Sequence, residues 1–431
     1  MKKLNQLLIL GLFILVGTTP AKELSLSAAL EVALDKNISI QQASNNTEVS
    51  QNTASLANAG LLPRVDLSTG TTITDATVQT AGGEVSSTSS RNTAGLNASY
   101  TLFKGLQGVN TYKLLKSQAS SAELQEIMIT EGTLMAVAQS YYSIQMNYDN
   151  LIILREQMDV SRERLKQALD KNARGMSSTL QALAARVDFD SDSTSVLEAA
   201  YAYEEARSSL NLLLGWDLNE VYEPVLVDRK FGEYDLALLN AEGLSGNVSY
   251  LLSQNQEFQS QLSLNTTLGS VMPTVSFTGG YGLSQINPDV DLALDNADLA
   301  LSGGLSLSWN LFDGRKAKSL RSAKILKKNS ELNTLDARRS LTKDVDSAYR
   351  SYVKSLQVLE LKQTNLESAQ LNFDQTREYF RLGQVGSTQF RDSQVNLSRV
   401  KSSLSQARYS AYLDEMKLWQ LTGQLQEHIQ G

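Results

Sequence analysis

Four aspartates have the spacing that most suggests chemistry in this sequence. They are Asp289, Asp291, Asp295 and Asp298, in a segment whose polar composition predicts an exposed loop. Carboxylate oxygens are preferred ligands of Ca²⁺, so a metal site is one interpretation. The segment lacks the glycine and the terminal glutamate of an EF-hand loop, however. We therefore favour a solvated loop.

Residues suited to catalysis are scarce. The chain contains no cysteine and one histidine, His428, and we find no nucleophile–base set, metal-ligand spacing or phosphate-binding loop. The net charge is −7, with 46 acidic and 39 basic residues well mixed, which gives no basic footprint for nucleic acid. We therefore predict a protein that is not an enzyme, with no catalytic residue, cofactor, metal or nucleic-acid partner.

Residues 1–21 have the composition of a secretory signal peptide. Lys2 and Lys3 precede an apolar run at 7–16, and small residues follow as far as Ala21. This run is too short to span about 30 Å of hydrocarbon, and no later segment approaches the roughly 18 apolar residues of a membrane helix. We therefore predict an exported protein whose membrane part, if it has one, consists of strands.

The rest of the chain contains an internal repeat. One offset aligns Val137 with Val345, Tyr141 with Tyr349, Gly175 with Gly383 and Gly215 with Gly423. We divide the chain into repeat 1 at 22–217, an irregular equatorial segment at 218–244, repeat 2 at 245–423 and a C-terminal tail at 424–431. Each repeat is predicted to contain a helix, two strands and a long helical hairpin.

One very long helix is predicted in each repeat. No proline occurs at 104–172 or at 315–381, and apolar residues there follow a spacing of three and four that is typical of coiled coils. At about 1.5 Å per residue, each helix would reach roughly 100 Å. Gly175 and Gly383 would end these helices by adopting positive φ, and partner helices at about 179–214 and 389–422 would complete two antiparallel hairpins.

Four strands are predicted from apolar–polar alternation with a period of two. They lie within 62–73, 94–103, 275–283 and 301–311, and polar segments at 74–91 and 284–300 predict exposed loops between them. Strands of about ten residues with aromatic residues near their ends fit a membrane sheet with lipid on one face and a lumen on the other. A soluble sheet with one buried face is the alternative.

Four strands are too few to close a barrel. An open strand edge in hydrocarbon would leave backbone groups without partners, at a cost of several kcal/mol each. Membrane strands in this chain would therefore have to join strands from other copies in a shared barrel. The open edges thus predict an oligomer, without giving the number of subunits.

The order of these motifs resembles the TolC-like outer-membrane efflux and secretion proteins. Segment 24–37 resembles their first helix, and the sequences Leu-Pro at 62–63, Leu-Phe-Lys-Gly at 102–105 and Leu-Phe-Asp-Gly at 311–314 resemble their strand boundaries. The resemblance covers essentially the whole chain after residue 21. The lipid-bearing cysteine of the drug-efflux branch is absent.

The resemblance implies an α+β membrane protein. Its fold would be a homotrimeric duct, with four strands per protomer in a shared twelve-stranded barrel in the outer membrane and long coiled-coil helices in the periplasm. Its function would be the exit duct of a tripartite efflux or type I secretion system, which passively conducts small molecules or unfolded polypeptide. The partners would be a periplasmic adaptor protein and an inner-membrane ABC or proton-driven transporter. The alternative is a periplasmic coiled-coil structural or adhesion protein without a pore.

The resemblance also suggests functional residues near the helical tips. Acidic side chains narrow the tunnel of family members before the tip turn, and Asp374 and Glu378 match that place, so we predict a pore constriction there. Three-fold symmetry would make Asp374 a carboxylate ring that attracts cations, unless Arg377 neutralises it. For adaptor docking we predict four tip residues, namely Gly175, Ser177, Gly383 and Gly386.

Overall fold

The computed structural model describes residues 22–176, 178–225 and 229–430, so the predicted signal peptide lies outside the described residues. The helices are α1 (Leu26–Lys36), α2 (Ile38–Thr53), α3 (Gln107–Ala173), α4 (Thr179–Leu214), α5 (Leu236–Gly246), α6 (Val248–Gly269), α7 (Gly314–Arg381), α8 (Ser387–Thr422) and α9 (Leu425–Gln430). The strands are β1 (Lys22–Leu24), β2 (Arg64–Thr80), β3 (Gly83–Lys104), β4 (Tyr222–Pro224), β5 (Thr274–Asn287) and β6 (Asp298–Ser308). Among these described helices, none has a stretch long and apolar enough to cross a membrane.

The two long helices are confirmed. Helices α3 and α7 contain 67 and 68 residues, which corresponds to about 100 Å each. The turn after α3 has Gly175 at φ 70°, and the turn after α7 has Gly383 at φ 76°. These left-handed conformations cost glycine little, so the chain can reverse and continue as α4 and α8, which contain 36 residues each.

Two buried asparagines occupy matching positions in the two halves. Asn37 accepts from the backbone N–H of Ser39 at the start of α2 and donates to the carbonyl of Leu213, 2.8 Å away. Asn247 caps α6 in the same way and donates to the carbonyl of Leu421 at 3.2 Å. Each asparagine therefore joins the first helix pair of its half to the end of that half's hairpin.

The main core lies midway along the helices. Tyr142 stacks on Tyr409 and on Tyr412, with ring centroids 5.5 Å apart in both pairs. The buried hydroxyl of Tyr141 donates to the carbonyls of Leu24 and Val225, at 2.9 and 2.6 Å. This places the parallel pair β1–β4 against α3, so the two hairpins and the chain between them share one core.

The segment predicted to be irregular at 218–244 is only partly so, because it contains β4 and most of α5, whose first turn is capped by Asp235. Buried Glu415 of α8 holds the part before α5. Its carboxylate accepts from the Arg229 guanidinium at 2.5 Å, the Gly232 N–H at 2.8 Å and the Tyr234 hydroxyl at 2.9 Å. Arg229 also lies over the ring of Trp419, 4.6 Å from its centroid.

The four-stranded sheet is antiparallel in the order β2-β3-β5-β6, and it corrects two predictions. Segment 74–91, predicted to be a loop, is mostly strand, because β2 and β3 pair from Arg64–Ser99 out to Thr80–Gly83. Thr and Val favour strands, but this stretch is mostly polar on both faces and lacks the alternation used to recognise strands. The last strand was predicted at 301–311, three residues further along the chain than β6, which spans Asp298–Ser308.

Candidate functional site

The sheet has one continuous apolar face. The register places Leu67 beside Leu96, Leu96 beside Tyr281, and Tyr281 beside Leu301. These side chains are exposed in the single chain, Leu67 by 78% and Leu301 by 82%. On β6 the apolar stretch runs from Leu299 to Leu307, about 27 Å along the strand. A tilted strand of this length matches the apolar band of about 25 Å on membrane barrels.

The opposite face is polar and lined by small residues. Asn97 donates to the Ser68 hydroxyl on the neighbouring strand at 2.9 Å. Gly95 and Gly282 lie directly opposite each other, and a Cβ atom on Gly282 would come within 2.8 Å of the Ala94 carbonyl oxygen. Bulky residues are therefore excluded from the centre of this face.

Both outer strands of the sheet lack a partner on one side. Within the described residues β2 pairs only with β3, and β6 pairs only with β5. A row of backbone N–H and C=O groups is therefore left open along each edge. The sheet therefore exposes two unpaired edges and one apolar face, and both kinds of surface favour contact with other strands or with an apolar environment.

The loop with the four aspartates folds back over the sheet above the apolar face. Buried Ser90 donates to the carbonyls of Asp289 and Asp291, at 2.7 and 2.8 Å. Buried Asn92 donates to the carbonyls of Asp291 and Ala293, at 2.8 and 3.0 Å. Backbone groups thus hold this loop, and within the described residues no cluster of three or more acidic or histidine side chains forms a candidate metal site.

The predicted constriction residues lie on the exposed surface of α7, near its end. Asp374 accepts a hydrogen bond from the Gln370 amide at 3.0 Å. Glu378 forms an ion pair with Arg381 at 3.0 Å, whereas Arg377 has no ion pair within the described part of the chain. Of these two carboxylates, Asp374 is the one that forms no ion pair with any described residue, whereas Glu378 is paired.

The predicted docking residues lie in open turns at the tips, except for Ser177, which lies outside the described residues. A methyl group added to Gly175, Gly383 or Gly386 would meet no atom within 4 Å beyond the neighbouring residues of the chain. Met176 and Leu382, beside these glycines, are exposed by 73% and 62%. The tips therefore present apolar side chains next to backbone that a partner could approach closely.

A buried ion cluster between the two hairpins was not predicted. Arg391 of α8 donates to both carboxylate oxygens of Asp192 on α4, at 2.6 and 2.7 Å, and Asp192 is 2% exposed. Beside this pair, Arg164 of α3 is bonded to Asp188 of α4. Burial opposes the charge on Asp192, but hydrogen bonds from Arg391, Ser161 and Gln157 outweigh it and lower the pKa of this carboxyl.

Further polar contacts join α8 to α3 between this ion cluster and the tyrosine core. Lys401 pairs with Glu156 at 2.7 Å, and the carboxylate of Asp149 accepts from Ser405 and Tyr409, at 2.6 and 3.0 Å. We call this line of contacts, from Asp149 to the ion cluster, the polar seam. Along this line the two hairpins are therefore joined by polar contacts, beside the apolar packing of Val160 on the second hairpin.

Another buried carboxyl, Glu131 of α3, was also missed. It is 5% exposed. Burial raises its pKa to about 7, although the positive charge of Lys417 opposes this shift. A heptad pattern treats such a residue as one more polar interruption of a helix, so the sequence carries no signal for its burial.

The comparisons with known proteins agree with this architecture. The family model described as outer membrane efflux protein matches residues 29–216 and 249–424. Outer membrane protein TolC of Vibrio cholerae is 22% identical over 390 residues, covering 86% of this chain and 84% of that protein. The probable outer membrane lipoprotein SilC of Salmonella typhimurium is 21% identical over 411 residues, covering 91% and 84%.

Solved structures show the same fold. The Campylobacter jejuni CmeC outer membrane channel superposes with a TM-score of 0.82 at 16% identity, over 93% of this chain and 86% of that one. The family match favours an outer-membrane channel with a large periplasmic helical part over a coiled-coil protein without a pore. The chain belongs to the outer membrane efflux protein family.

Proposed function

We propose that three copies of this chain form the exit duct of a tripartite export system. The observation that carries this proposal is the four-stranded sheet with two open edges and an exposed apolar face. In hydrocarbon each open edge must pair with a neighbouring copy, and three sheets would give the twelve strands that the resemblance to TolC-like proteins implies. The polar sheet face would then line the lumen, and α2, α3, α6 and α7 would continue the wall into the periplasm.

The tips are the proposed docking surface for a periplasmic adaptor, which would connect the duct to an ABC or proton-driven transporter. Open backbone at Gly175, Gly383 and Gly386 beside exposed Met176 and Leu382 supports this role. Ser177, the fourth predicted docking residue, lies outside the described residues. The duct would conduct small molecules or unfolded polypeptide passively.

Replacement of Gly386 tests this docking. Gly386→Trp fills the open turn without forcing a positive φ, which Gly383→Trp would require. We expect Gly386→Trp to abolish export and adaptor cross-linking while leaving the trimer intact, and we expect the matched variant Gly386→Ala to behave as wild type. Normal export by Gly386→Trp would remove the tips from the proposed docking surface.

Asp374 is the proposed constriction, with Glu378 one turn further and paired to Arg381. Single-channel recordings in planar bilayers would compare Asp374→Asn with Glu360→Gln. Glu360 is exposed and lies two heptads earlier on the same helix face. A carboxylate ring at the narrowest point predicts reduced cation selectivity for Asp374→Asn only. If Asp374→Asn and Glu360→Gln had the same cation selectivity, the constriction would have to lie elsewhere.

A further inference from the structure

A concentration of positive charge lies directly beneath the sheet. Segments 100–122 and 309–330, where β3 and β6 lead into α3 and α7, contain ten basic residues and one acidic residue, although the whole chain has a net charge of −7. Within the described part of the chain, the ion pairs that these basic residues form are Arg315–Asp313 and Lys327–Glu331. The other basic residues therefore carry charge that the protein itself does not balance.

Helix α7 has one face that packs on α6 and two exposed flanks, and its basic residues are unevenly divided between these flanks. Lys316 and Ser330 mark the face that packs on α6, through bonds of 2.7 Å to the Ser270 carbonyl and 2.6 Å to the Ser260 hydroxyl. At helical spacing, two flanks stand on either side of this face. One flank carries the exposed residues Arg321, Lys324 and Lys328. The other carries Ser322, Asn329 and Asn333, and near the start of the helix Lys318 and Arg315, the latter paired with Asp313.

The handedness of the chain decides which flank lies under the apolar sheet face. Gly95 and Gly282 form a non-hydrogen-bonded pair, because a Cβ on each would lie near the carbonyl oxygen that precedes the other. In such a pair the chirality of L-residues fixes the side of the partner strand: when the polar face is viewed with β3 running down, β5 lies to its right and β6 further right. Helix α7 continues below β6, and because it is right-handed, its Arg321–Lys328 flank lies on the side of the apolar sheet face.

The sides of α3 can be assigned in the same way, from its contacts with the neighbouring helices and its right-handed turn. Its contacts to α6 run through Ser117 and Ser121, and its contact to α2 runs through Ala122. The exposed residues Lys113 and Lys116 then fall on the apolar-face side as well. We call these five residues, Lys113, Lys116, Arg321, Lys324 and Lys328, the basic collar. Two helices thus place positive charge at one level and on one side.

We propose that the basic collar binds the phosphate groups of anionic phospholipids in the periplasmic leaflet of the outer membrane. Arg321 follows the start of α7 by seven residues, about 10 Å along the helix, and a long basic side chain can extend back towards the headgroups. A basic residue near an anionic membrane surface strengthens attachment about fivefold. This inference rests on the proposed orientation, with the apolar sheet face in lipid.

The test uses full-length protein purified in detergent, with phosphatidylglycerol and phosphatidylethanolamine as the probes. Native mass spectrometry would count each lipid retained after equilibration with mixed micelles of the two. The collar variant is R321Q/K324Q/K328Q. The matched control is R338Q/R339Q/K343Q, which removes the same charge from exposed residues of the same helix, about 25 Å further from the sheet.

We expect wild type and the control to retain phosphatidylglycerol in preference to phosphatidylethanolamine. The collar variant should lose this preference at least about fivefold, and 0.5 M salt should weaken it in wild type. An unchanged preference in the collar variant, an equal loss in the control, or binding to purified peptidoglycan instead of phosphatidylglycerol would overturn the proposal.

Channel recording separates the failure of this proposal from the failure of the proposed duct. A wild-type protein that conducts but shows no lipid preference refutes only the lipid binding by the basic collar, whereas a protein that never conducts refutes the duct.

Discussion

The polar seam gives the sharpest prediction. We expect the duct to open by separation of the two hairpins near the tips, which requires the ion cluster to break. Arg391→Ala leaves the carboxylate of Asp192, which is 2% exposed, without its bidentate partner. Removal of one member of a buried pair costs about 3–5 kcal/mol. We take the lower end because the Arg391 side chain is 18% exposed. About 3 kcal/mol would shift the ratio of separated to joined hairpins by roughly 150-fold.

The assay is single-channel conductance in planar bilayers together with the apparent melting temperature. Arg391→Ala should raise the fraction of time in the highest conductance state and lower the melting temperature. The control is Arg186→Ala on α4, whose pair with Asp190 is exposed at 3.9 Å and should contribute less than about 1 kcal/mol. Adding Asp192→Ala to Arg391→Ala should recover part of the loss. Identical conductance in Arg391→Ala and Arg186→Ala would refute the view that the seam restrains opening.

Three further predictions concern buried or crowded groups. Because burial raises the pKa of Glu131 to about 7, its stabilising contribution is present at low pH and is lost as the pH rises through 7. Thermal melts should therefore show that Glu131→Gln raises the melting temperature more at pH 8 than at pH 5. Gly282→Val should block membrane insertion, measured by fractionation, because its side chain would meet the Ala94 carbonyl, whereas Gly303→Ala has open space and should insert normally. Glu415→Ala should lower stability by about 3–5 kcal/mol and make 229–235 sensitive to protease; resistance equal to wild type would contradict the anchoring role.

The helical part of the fold was predictable because its signals are local. Absence of proline, a sustained heptad spacing and a glycine after each helix together gave helices that match α3 and α7 within a few residues. The partner helix α4 spans 179–214 in the structure, the range expected from the sequence. Each of these signals acts through backbone geometry within one or two turns, so tertiary packing had little opportunity to override it.

The outer part of the sheet was less predictable. Alternation identifies a strand only where one face is apolar, and β2 and β3 extend beyond that region into 74–91, where both faces are polar. Pairing with each other stabilises these residues, and pairing is a non-local property. The same limit applies to Ser90 and Asn92, whose role in holding a loop depends on contacts with residues about 200 positions away.

The polar seam could not be read from the sequence for a related reason. Arg391 and Asp192 are separated by 199 residues, and each looks like an ordinary surface charge on its own helix. Only the packing of α8 against the first hairpin buries them together. By contrast, Asp374 was singled out through the resemblance and Gly175 and Gly383 through the internal repeat, and their functional roles stay predictions.

The central claim, that three chains close one barrel, is tested most directly by cross-linking the open sheet edges. Because the chain has no cysteine, single cysteines placed along β2 and β6 would form disulfides only where edges of neighbouring copies approach within about 7 Å between Cα atoms. Oxidation in intact outer membranes of a variant with one cysteine on each edge, scanned from Leu67 and Leu301, should give monomer, dimer and trimer bands and nothing larger. Monomer alone at every scanned position, or a ladder beyond three, would contradict the proposed closure.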